Sequence, residues 1–272
     1  MNQKAVRALN GQEQVSILKE KIDKIYPWLF ALEMAVAELL VTVKPWYGIV
    51  LHMLILAVLL ISSAVAYEKP RSKLYIAFIL GPLIRILSLS LPLAHLPRIY
   101  WYAAVSFPLL AGAFVVARLN SYSLADMGLR WGNLRRNTFI HILTFLSGIP
   151  LGIAEYFILR PEPIFKTFNP VEFILPALIF LICTGFTEEV VFRGIMYRAA
   201  ADFLSPISSI FLISFVFAAL HITHLSLIDV VFVFAVAVYF TLIVKRTGSI
   251  IGVAIAHGIT NISLYLIWPY FF

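Results

Sequence analysis

The sequence predicts an all-α protein built as a polytopic bundle of transmembrane helices, and three observations carry that prediction. The 272 residues are 61% hydrophobic and 13% charged, with a mean hydropathy of +0.94. Soluble domains sit nearer half apolar and a quarter charged. The apolar residues gather into runs of about 20, the length an α-helix needs to cross the hydrocarbon of a bilayer. The lysines and arginines fall mostly in short connections between those runs, where they set topology. The net charge of +7 therefore gives no reason to expect a nucleic-acid partner.

Eight segments meet the spanning length: 47–67, 74–94, 100–117, 138–159, 171–192, 207–224, 227–244 and 249–270. A ninth, from Tyr26 to Val43, is shorter and carries Glu33 and Glu38. It either spans or lies in the interface as an amphipathic helix. Charge favours spanning. With nine crossings, Lys4, Arg7, Lys19, Lys21 and Lys24 share a side with Lys69, Arg71 and Lys73. The basic clusters at 118–136, 193–198 and 245–246 join them, leaving Lys44, Arg98, Arg160 and Lys166 opposite. By the positive-inside rule the N-terminus is expected in the cytoplasm, and a prokaryotic plasma membrane is the expected location.

Residues 1–25 form a polar segment without the apolar core or small-residue cleavage site of a signal peptide. Residues 26–170 are expected to supply N-terminal membrane helices, and 171–272 a helical core that carries the polar motifs. Pro82, Pro92 and Pro150 fall inside spans and are expected to kink them. The longest interior connection, 120–137, is expected to be a solvated loop with a surface helix. Cys183 is the single cysteine, so no internal disulfide can form. Arg85, His52, His141 and Glu155 are isolated polar residues inside spans, with Arg85 and Glu155 a candidate ion pair.

The chemistry concentrates in Thr187-Glu188-Glu189-Val190-Val191-Phe192-Arg193. A charge at the bilayer centre costs about 2.5–3.5 kcal/mol on insertion scales, so adjacent carboxylates there call for a function. Neighbours on a helix point about 100° apart, so Glu188 and Glu189 face different ways. Arg193, four residues beyond Glu189, is placed to neutralise one and leave the other free. Downstream, His221 and His224 sit three apart near the end of an apolar run. His257 and Asn261 sit four apart, on one face of the last span.

A carboxylate, two imidazoles and an amide are the parts for hydrolysing an amide bond. The Glu takes a proton from water as general base, and a His or Asn donates to the oxyanion. No serine or cysteine nucleophile stands out, and Cys183 reads as packing. His221, His224, His257 and a carboxylate are also potential zinc ligands. The His-Glu-x-x-His motif is absent, and no cofactor is expected.

The set Glu-Glu-x-x-x-Arg, Phe-x-x-x-His and His-x-x-x-Asn resembles the CPBP family of intramembrane proteins. That family includes the type II CAAX prenyl endopeptidases and the bacteriocin-processing and self-immunity proteins. The resemblance covers roughly 181–261. It implies that Glu188 activates water together with His221, and that His257 and Asn261 form the oxyanion site. Glu189 is then a supporting carboxylate and Arg193 its counter-ion, in a mechanism that the resemblance favours as metal-free, with a metalloprotease mechanism the open alternative. The implied function is an intramembrane endopeptidase acting on a membrane-anchored peptide or prenylated protein, with CAAX-type tails the leading class. The alternatives are a non-catalytic scaffold or self-immunity protein and, with less support, a proton-coupled transporter. Against transport stands the lack of a repeated half.

Overall fold

The computed structural model describes residues 14, 18, 19, 21–91 and 93–272. Most of the polar N-terminal segment, and Pro92, therefore lie outside the described residues. Among the described residues the secondary structure is helical throughout, and nine helices are long and apolar enough to cross a membrane.

Tyr26–Val43 (α1) is one of the nine. Its spanning length is compatible with Glu38 because that carboxylate is fully buried against Arg85 and His52. Pro45–Val65 (α2) follows after a single extended residue, Lys44. The third span is divided into Pro70–Phe78 (α3) and Leu80–Ser90 (α4). Pro82 explains the break at Ile79, since proline supplies no N–H and crowds the preceding turn. Arg98–Leu119 (α5) and Leu134–Leu159 (α6) come next, and α6 runs unbroken past Pro150. The long helix α7 covers Pro170–Ala201, followed by Pro206–Ala219 (α8), Leu227–Thr247 (α9) and Ile251–Ile262 (α10), the last extended to Tyr270 by tighter and wider turns.

The starts of these helices are written locally. Asn133, Asn169, Ser205 and Ser226 each accept a backbone N–H of the first turn of α6, α7, α8 and α9. Proline follows two of these caps, at Pro170 and Pro206, where its missing N–H costs nothing.

The connections at one end of the bundle are tied together. The Asn120 amide donates to the Lys73 carbonyl at 3.0 Å and the Tyr122 hydroxyl to Asp202 at 3.1 Å. The Ile250 N–H donates to the Gly128 carbonyl at 3.0 Å. The 120–137 connection thus carries no surface helix over 121–133. It is a strap folded in turns, with Met127 buried under α7 and its backbone bonded to the 248–250 turn. An apolar anchor in the middle of a polar loop is what pulls it inward. Within the strap, Asp126 accepts from the Ser123 hydroxyl and N–H, which holds its carboxyl below the usual range.

Helix α10 packs against α6 and α7, α8 packs against α9, and α1 packs against α2 and α8. Two glycines allow the approach that matters most. A Cβ on Gly185 would lie 2.6 Å from the Ala254 carbonyl, and one on Gly258 would lie 2.8 Å from Cα of Leu181. Small residues of this kind let membrane helices close to backbone contact, where packing is the main attraction available. Here the contact sets α7 and α10 side by side.

Candidate active site

The two adjacent glutamates occupy one regular turn, Thr187–Glu189, between wider π-helical segments at Phe180–Phe186 and Val190–Met196. Such bulges change the facing of successive residues and recur at functional positions. Glu189 is fully buried, whereas the Glu188 side chain retains 29% exposure. The two carboxylates do face different ways, as neighbours on a helix must.

Arg193 reaches Glu189 with Nη1 at 2.8 Å. Its other donors go to the Ala237 carbonyl at 3.2 Å and the Thr241 hydroxyl at 3.4 Å, both on α9. The guanidinium also lies 4.5 Å from the centre of the Phe217 ring on α8. One buried cation therefore clamps three helices, and its charge is balanced by Glu189. Glu188 remains free to face a cavity.

Four residues on three elements meet around that cavity. Glu188, His221, His257 and Asn261 all line a space of about 110 Å³. A cavity of this size and polarity has room for several waters. His257 stands between the carboxylates, with Nδ1 at 3.0 Å from Glu189 Oε1 and Nε2 at 3.8 Å from Glu188 Oε2. Asn261 donates from Nδ2 to the Thr184 hydroxyl at 2.8 Å, and that hydroxyl donates onward to the Phe180 carbonyl. The amide is thereby held in one orientation with a second N–H to spare.

The helix of the segment 207–224 ends earlier than the spacing of the histidines suggests. α8 stops at Ala219, and Ile222–His224 form a tight 3₁₀ turn. The turn still keeps the two imidazoles together, with ring centroids 5.2 Å apart and the rings nearly perpendicular. Nδ1 of His221 lies 2.9 Å from the Phe217 carbonyl, while Nδ1 of His224 turns to Asp229 at 2.8 Å. A carbonyl can only accept, so that partner assigns the His221 hydrogen to Nδ1 and leaves Nε2 as an acceptor in the neutral ring. Among the described residues no three His, Cys, Asp or Glu side chains converge as a metal ion requires. Of the potential zinc ligands, His224 and His257 each turn Nδ1 to a separate buried carboxylate, Asp229 and Glu189.

The expected pairing of Arg85 with Glu155 is not what forms. Arg85 binds Glu38, at 2.7 Å and 2.9 Å to its two oxygens, and donates to the Leu220 carbonyl at 2.9 Å. The chain folds so that α4 lies beside α1 and the end of α8, and this brings Glu38 to the arginine. His52 joins the same carboxylate at 3.2 Å. Glu155, by contrast, is buried beside Asn261, His257 and Tyr265 in the small cavity. A carboxylate inside a span is a visible signal, but sequence does not say which residues it meets. His141 turns to the Trp131 carbonyl at 3.2 Å.

A second, larger cavity of about 340 Å³ adjoins the first, with Glu188, His221 and Tyr102 lining both. Cys183 lines it while also packing against the cluster around Phe180 and Leu266, and its carbonyl accepts from Ser106 at 2.8 Å. Ser106 also meets the Thr187 hydroxyl at 2.6 Å, fixing α5 beside the glutamates. Tyr102 and Ser106 carry no sequence signal that sets them apart.

Residues 170–263 match the family model described as type II CAAX prenyl endopeptidase Rce1-like. That is the family the three motifs resemble, and the matched stretch contains every residue from Glu188 to Asn261. At the family level it supports a CAAX-type intramembrane endopeptidase and a membrane-associated peptide substrate. No curated protein and no solved structure matches the chain.

Proposed function

We propose, on the premise of that family match, that this chain is an intramembrane endopeptidase of the glutamate type. It would hydrolyse a peptide bond in a membrane-held substrate, with a prenylated CAAX-type tail as the class to test first. The observation that carries the reading is the convergence of Glu188, His221, His257 and Asn261 on one cavity.

In this mechanism water sits between Glu188 and Nε2 of His221. Glu188 takes one proton as the water oxygen bonds to the scissile carbonyl carbon. The negative charge that develops on the carbonyl oxygen is met by the spare N–H of Asn261 and by Nε2 of His257. His257 already donates through Nδ1 to Glu189, so donating through Nε2 requires the ring to carry both protons. Collapse breaks the carbon–nitrogen bond, and the proton held by Glu188 passes to the departing amine. The second proton of the water stays on the new carboxylic acid until it passes to the amine, so the products are a carboxylate and an ammonium, and no metal enters the scheme.

The test is cleavage of a fluorescent farnesylated Cys-a-a-X peptide by protein purified in detergent, with and without a strong chelator. Chelator-resistant cleavage that vanishes in Glu188→Gln supports the scheme. Cleavage lost to the chelator and restored by zinc defeats the metal-free step. A folded protein that cleaves nothing favours the scaffold alternative, for which the buried Arg193–Glu189 clamp would suffice.

A further inference from the structure

The larger cavity lies toward one end of the bundle. Its outermost lining residues are Ser88 near the end of α4, Leu93 and Arg98 before and at the start of α5, and Thr223 and His224 beyond α8. Its floor is formed by Leu109 and Phe192. From Arg98 to Leu109 is about 16 Å along a helix, or about half the thickness of the hydrocarbon. None of the connections at the opposite end contributes to the lining.

That opposite end is the basic one. It holds Lys69, Arg71, Lys73, Arg130, Lys245 and Arg246, and the hydrogen bonds from Asn120 to Lys73 and from Ile250 to Gly128 gather its connections. Among the described residues, the connections at the end with the mouth hold only Lys44, Arg98, Arg160 and Lys166 of the Lys and Arg. It also carries exposed Trp46, Tyr47, Tyr100 and Trp101, the aromatic residues that settle at a membrane–water interface. The excess of Lys and Arg in short loops marks the cytoplasmic side. The mouth therefore faces away from the cytoplasm.

We propose that the site is served from the non-cytoplasmic leaflet. Its substrate class is then a membrane peptide or anchored protein segment whose scissile bond lies in the outer half of the bilayer, rather than a tail held at the cytoplasmic face. The chemistry rests on the peptidase reading above; the side of entry rests only on the cavity and the charge distribution.

The experiment separates the two. Cys183→Ala removes the only thiol, and Leu96→Cys beside the mouth or Leu124→Cys in the basic strap is added to it; both leucines are exposed. Intact cells are treated with a membrane-impermeant maleimide. The expected result is labelling of Leu96→Cys in intact cells and of Leu124→Cys only after permeabilisation. The reverse pattern overturns the proposal whether or not the protein cuts anything. Sealed vesicles of both orientations are then given the farnesylated peptide carrying a sulfonated dye. Hydrolysis at least tenfold faster in right-side-out vesicles supports entry from that leaflet, and a preference for inverted vesicles opposes it. If detergent-solubilised protein also fails to cleave, the prenylated-tail substrate falls, while the labelling still decides the face.

Discussion

Oε1 of Glu189 lies 3.0 Å from Nδ1 of His257, and the same oxygen accepts from Arg193 at 2.8 Å. The second carboxylate of the pair is thus spent on holding an imidazole and a guanidinium, and the first is left facing the cavity. This division predicts that the two glutamates fail differently.

Glu188→Gln should leave the thermal unfolding of the detergent-solubilised protein nearly unchanged while abolishing hydrolysis. Glu189→Gln should lower both, because it strands Arg193 in the core. Breaking a buried pair from one side costs about 3–5 kcal/mol. Equal melting temperatures for the two variants would contradict the assignment.

His221→Ala should lower kcat by about 10²–10⁴-fold, the usual contribution of a group that handles a proton. Asn261→Ala should cost about 10²–10³-fold, as loss of one oxyanion donor does elsewhere. The check is kcat at saturating peptide, with circular dichroism showing that helix content is retained. A fall confined to KM in either variant would assign that residue to binding instead.

Gly185→Val should push α7 from α10, since even a Cβ there would lie 2.6 Å from the Ala254 carbonyl. Overpacking of this kind costs about 1–3 kcal/mol. Thermal unfolding should shift down, with activity falling further than the melt, as Glu188 and His257 sit on the separated helices. Gly112→Ala, whose Cβ would meet only the end of the Leu83 side chain at 3.1 Å, serves as the control with a small effect.

Arg85→Met should destabilise by exposing Glu38 to burial without a counter-charge, and should also weaken catalysis by freeing the Leu220 carbonyl next to His221. Combining it with Glu38→Gln should recover part of the stability. Contacting residues of this kind couple by about 0.5–3 kcal/mol, and a double-mutant cycle of melting temperatures reads that coupling. Strict additivity would mean the pair contributes nothing beyond its separate parts.

The membrane fold was legible because bilayer hydrocarbon imposes a length and an apolarity on every crossing helix, and both are properties of the linear chain. The run from Tyr26 to Val43 was marginal by itself; burial of Glu38 against Arg85 explains how a span tolerates its charge. The motif residues were likewise visible, because charges and imidazoles stand out in apolar runs. Arg193 could be matched to Glu189 since both lie on one helix, where the spacing of four decides contact. Contacts between helices were not legible in this way. Arg85 met Glu38 and not Glu155, and Glu155 came to lie beside Asn261, because those pairings depend on how α1, α4, α6 and α10 pack. The end of α8 at Ala219, and the inward fold of the strap around Met127, were decided by the same packing. Local sequence determined which residues carry chemistry; the glycine contact of α7 with α10 and the closing of α8 beside them decided that the chemistry shares one space.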